Sequence, residues 1–120
     1  MLGLLLLAAS TAADQSDAAN FAYTQCLFQT SRAANGERLP ASAFEQRLGS
    51  ACLNEQRNLE RRLAQVLAAQ GHRNAAAEAR AVAENARQTV VDDYRRMLEL
   101  EPELRRIAEL CKANPDQCRD

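Results

Sequence analysis

"VLAAQGHRNAAAEARAV", residues 66–82, joins two alanine-rich runs through a short polar break. Gly71 can take the left-handed conformation that closes a helix, and Asn74 can cap the next one. Only "GHR" separates the two runs, so they must fold back on each other as antiparallel neighbours. Upstream, "SAFE" at Ser42–Glu45 has the form of a capping box. It predicts a helix from Ser42 to about Gln70, with Phe44, Leu48, Ala51, Cys52, Leu59, Leu63, Val66 and Leu67 on its apolar face. Downstream, Ala76, Ala79, Val82, Ala83, Ala86, Val90, Tyr94, Met97 and Leu98 recur at helical spacing. That helix reaches Glu101, and Pro102 ends or kinks it. The pair makes a hairpin of about 40 Å at 1.5 Å per residue.

Two shorter helices complete the expectation. One starts at Ser16 or Asp17, carries Ala19, Tyr23, Cys26, Leu27, Thr30 and Ala34 on one face, and stops at Asn35-Gly36. The other covers about Glu103 to Ala113, with Leu104, Ile107, Ala108 and Cys111 on one side. No strand pattern appears. The expected fold is all-α: a long antiparallel hairpin, a shorter N-terminal helix packed on its base, and a short C-terminal helix. Counting residues along the helices puts Cys26, Cys52 and Tyr94 in one layer of that base, ringed by Phe21, Tyr23, Phe28 and Phe44.

The chain has 120 residues, enough for one domain with its own core. Apolar residues make up 47% and charged residues 26%, which places it among globular chains. A net charge of −1 gives no footprint for nucleic acid and no polybasic membrane patch. "MLGLLLLAASTAADQ" has an apolar run followed by small residues and then Asp14. This reads as a signal peptide over residues 1–13, cut after Ala12 or Ala13, although no Lys or Arg precedes the run. The run is far shorter than a membrane span. The expectation is a periplasmic or secreted protein whose domain is residues 14–120, with no membrane span in the mature chain.

The four cysteines follow the pattern C-x25-C-x58-C-x6-C. Zinc sites favour close pairs such as C-x2-C, and redox centres C-x-x-C, so neither a metal site nor a redox centre is expected. An even count in an exported chain points to disulfides. Cys26 and Cys52 come within about 3 Å in height on antiparallel helices. Cys111 and Cys118 bracket an Asn-Pro turn, where a short loop closes cheaply. These two pairings are expected. "FAYTQCLF" and "AFEQRLGSAC" together resemble short uncharacterised exported proteins of alphaproteobacteria. That resemblance, over Phe21 to Cys52, implies export and the first cysteine pair, and no activity.

His72 stands alone in the tip turn, and Asp92 and Glu101 can pair with Arg96 and Arg105 four residues on. Arg57, Arg61 and Arg62 are interleaved with Glu55 and Glu60 and read as surface. No nucleophile–base pair, phosphate loop or cofactor motif occurs, so neither an enzyme nor a bound cofactor is expected. The expected role is protein interaction in the envelope, through a partner or a second copy docked on the distal hairpin. Its candidate residues are Leu63, Val66, Leu67, Ala79, Val82 and Ala83. The competing reading is that they simply pack against one another. The alternatives are an inhibitor or immunity-type binder, or a ligand carrier or enzyme built around Tyr23 and Tyr94.

Overall fold

The computed structural model describes residues 11–119. Four α-helices follow in order: α1 (Ala12–Gly36), α2 (Ala41–Ala51), α3 (Leu53–Ala69) and α4 (Ala75–Ala113). A 3-10 turn, Pro115–Cys118, ends the chain. No strand occurs among the described residues. The protein is all-α. α3 and α4 form the hairpin, α1 lies along α3, and α2 closes the base against α1 and α4.

α1 starts earlier than the spacing predicted. Thr11 caps it: its hydroxyl accepts from the Asp14 amide at 3.1 Å, and Asp14 accepts from the Thr11 amide at 3.3 Å. This reciprocal pair satisfies two otherwise orphaned donors. The expected cleavage points after Ala12 and Ala13 fall in this first turn, and residues 1–10 of the expected leader lie outside the described residues. At the other end the left-handed residue is Arg38, at φ 56°, and not Gly36. The tip turn behaves as its sequence indicated, with Gly71 at φ 89° and the His72 amide reaching back to the Leu67 carbonyl.

The long upstream helix is two helices. Cys52 leaves helical geometry at φ −110° and ψ 18°, dividing α2 from α3. The predicted capping box at Ser42 does not form. Pro40 is the N-cap residue, and Glu45 instead bonds Arg95 on α4 at 3.1 Å. Asn74 holds the cap position of α4 without a side-chain bond to it. Downstream the reverse happens. α4 runs unbroken through Pro102, so the expected separate C-terminal helix is its last three turns. Proline costs one backbone hydrogen bond there, the one the Leu98 carbonyl would accept.

The core is a narrow column: Ala19, Tyr23, Leu27, Ala34, Phe44, Leu48, Cys52, Leu59, Ala83, Val91 and Tyr94. Burying these side chains supplies the main driving force for the bundle. Tyr23 reaches across to donate to the Ala83 carbonyl at 3.2 Å, and Tyr94 donates to the Leu39 carbonyl at 2.6 Å. Tyr94 stacks on Phe44, with ring centroids 4.1 Å apart. Its partners Phe44 and Leu39 precede Cys52 in the chain, so Tyr94 packs at the start of α2. Phe21 and Phe28, expected in the base, face solvent at 66% and 51% exposure. They lie seven residues apart on the back of α1, opposite the face that carries Tyr23 and Leu27.

Candidate functional site

Both expected disulfides form. Cys26 joins Cys52 with Cα atoms 5.8 Å apart, and Cys111 joins Cys118 at 5.7 Å. The first ties α1 to the junction of α2 and α3. The second closes the end of α4 onto its 3-10 turn.

The six expected docking residues of the distal hairpin differ in exposure. Ala79 and Ala83 are completely buried where α3 runs beside α4. Leu63, Val66 and Leu67 are half-buried, and only Val82 is well exposed. Ala79 and Ala83 thus serve the hairpin itself: their small side chains let α3 and α4 approach closely, and they cannot also meet a partner. Val82 is exposed because it lies about 100° around the helix from Ala83.

Besides Phe21 and Phe28 on α1, a run of exposed apolar residues lies at the opposite end of the molecule. Met97, Leu100, Leu104, Ile107 and Leu110 are each about half exposed, between 39% and 58%. Met97 and Leu100 flank Leu98, which still packs on the core, and residues 102–110 of α4 are exposed throughout. The spacing of Met97, Leu100, Leu104 and Ile107 places them on the line that holds the hairpin together, and Leu110 lies off it. Ala79, Ala83, Ala86 and Val90 alternate by four and three; through Asp93 the alternation continues to Met97, Leu100, Leu104, Ile107 and Cys111. This is the 3.5-residue period that keeps a seam facing one helical neighbour. In the hairpin that neighbour is α3. Counting down from the tip turn puts Leu53, the start of α3, level with about residue 92. Beyond that level α2 and the Leu39 segment pack on Tyr94, Arg95 and Leu98, while the seam residues Met97, Leu100, Leu104 and Ile107 stay 39–58% exposed. The signal was present in the sequence, but reading Pro102 as a break cut it in two.

The remaining polar groups make local surface pairs. Glu101 accepts from Arg105 at 2.9 Å, as its spacing predicted. Asp92 does not pair with Arg96; Gln88 donates to it, and Arg96 lies 3.8 Å from Asp93. His72, expected to lack a companion, contacts Glu78 at 2.7 Å. Arg62 donates to Gln15 on α1, while Arg57 and Arg61 join Arg80 and Glu60 in a shallow open groove of about 250 Å³. A second groove, about 280 Å³, lies between α1 and α3 beside Gln15 and Arg62. Neither is lined by Tyr23 or Tyr94. Burial pushes both phenols above their ordinary pKa, and each is already donating to a backbone carbonyl. Among the described residues no three metal-ligating side chains gather, and no helix is long and apolar enough to cross a membrane.

Body and arm together define an all-α protein with a bundled, disulfide-tied base and a free amphipathic helical end. No family model matches the chain, and no curated protein or solved structure is detectably similar to it.

Proposed function

We propose that this chain is an exported helical interaction protein that docks a partner helix along the uncovered seam of α4. The observation that carries the reading is the run from Met97 to Ile107: apolar side chains at alternating three- and four-residue spacing, 39–58% exposed along α4. A contiguous exposed apolar patch rimmed by polar residues is the kind of surface that marks a contact site, and this spacing fits a helix better than a loop or a small molecule. Export is supported by the four cysteines, all paired in two disulfides. The role is binding and not catalysis: the two buried phenols are committed to structural hydrogen bonds, and the charged groups of the arm pair along their own helix.

The test is a photo-reactive side chain introduced in cells at Leu104 or, separately, at Val82. Adducts are expected from Leu104 and not from Val82. Adducts from Val82 alone would move the docking surface to the hairpin tip and end this reading.

A further inference from the structure

Resting on that reading, we infer that the helix filling the seam is the same arm of a second copy, laid antiparallel. The first ground is continuity with the α3–α4 contact. The seam is occupied by α3 down to Leu53, so a helix that extends this packing must run in line with α3 and antiparallel to α4. A parallel partner would run its own α4 upward into the space α3 already fills. An antiparallel copy keeps the two bodies at opposite ends.

The second ground is that the seam matches itself. In an antiparallel pair centred on Pro102, Met97 of one copy meets Ile107 of the other, and Leu100 meets Leu104. All four exposed seam residues are then used twice, and Pro102 points away from the contact. The same register brings Lys112 of each copy beside Asp92 and Asp93 of the other, an opposite-charge contact at both ends.

The pairing is weak by its size. The two faces together bury on the order of 1,000 Å², the lower bound for a specific interface. Glu101 and Glu103 would also face their own copies near the axis. Arg105 and Arg106 on the same helix hold them at 2.9 and 3.6 Å and offset part of the repulsion. This gives the antiparallel register its own signature. Neutralising Glu101 and Glu103 should tighten the dimer, whereas in a parallel pair Glu101 would face Arg96 and the same change would loosen it.

Sedimentation of the oxidised full chain over a concentration series is the test. A concentration-dependent dimer is expected. Leu104→Glu and Ile107→Glu should each weaken it at least tenfold with helix content unchanged, since both positions are exposed. The double variant Glu101→Gln/Glu103→Gln should tighten it severalfold. Carbodiimide crosslinking should join Lys112 to Asp92 or Asp93 between copies; within one chain these groups are about 30 Å apart along α4. A strict monomer, a dimer indifferent to Leu104→Glu, or a double variant that dissociates would overturn the inference. If the chain is monomeric yet Leu104 still yields adducts to another protein, the docking reading stands and the second copy is excluded. No adduct of any kind would end both.

Discussion

Ala79 and Ala83 are fully buried, and their size sets how closely α3 approaches α4. Ala83→Leu should cost about 2 kcal/mol by overpacking, whereas Val82→Ala, one residue away and 48% exposed, should stay within about 0.5 kcal/mol. Urea unfolding of both variants checks the contrast. The two buried tyrosines make a second prediction. Burial raises both phenol pKa values above 10.0, so the folded chain holds two protons that the unfolded chain releases first. The stability they contribute is complete below about pH 10 and is lost as pH rises through the folded values. Melting temperature should therefore fall from about pH 9 to about pH 11, and less steeply in Tyr23→Phe/Tyr94→Phe. At this scale the sequence told which aromatics exist but not which way they face. Tyr23 and Phe28 are both on α1, and only the position of α3 decides that one is core and the other surface.

The helices were legible where local chemistry decides them, and illegible where tertiary contacts do. Gly71 ends α3 because its backbone can turn left-handed there, a property written in one residue. The break at Cys52 has no such mark. That cysteine is committed to Cys26, and α2 packs against α1 and α4 at the base. Pro102 misled in the other direction, since one missing hydrogen bond did not stop a helix of 39 residues. The disulfides differ in what they hold. Cys26–Cys52 spans 26 residues and crosses the core, so replacing both cysteines with alanine should cost about 3 kcal/mol of global stability. Cys111–Cys118 spans 7 residues at the end of α4, beyond a stretch, 102–110, that is exposed throughout. Its removal should leave the melting temperature nearly unchanged and instead speed amide exchange over the last turns of α4. Calorimetry and hydrogen exchange on the two double variants separate these outcomes.

The molecule is a rod, 69 Å long with a radius of gyration of 20.5 Å, against about 14 Å for a compact domain of this length. Its elongation was half visible beforehand. The hairpin length followed from helical rise, but the arm did not, because it depends on α4 outrunning every helix that could cover it. That same geometry leaves α4 without a covalent bond to its neighbours. One disulfide lies within α1–α3 and the other within the C-terminal end, so α4 is joined to the rest only through the tip turn. Under tension applied to the two ends of the chain, α4 can therefore be peeled from the base toward the tip while α1 stays tied to the α2–α3 junction. Full extension would still withhold the 26 residues looped by Cys26–Cys52, about 90 Å of contour that only a reductant releases. The fold thus behaves as a mechanical clasp, with one leg that opens by degrees and a knot at its base that does not.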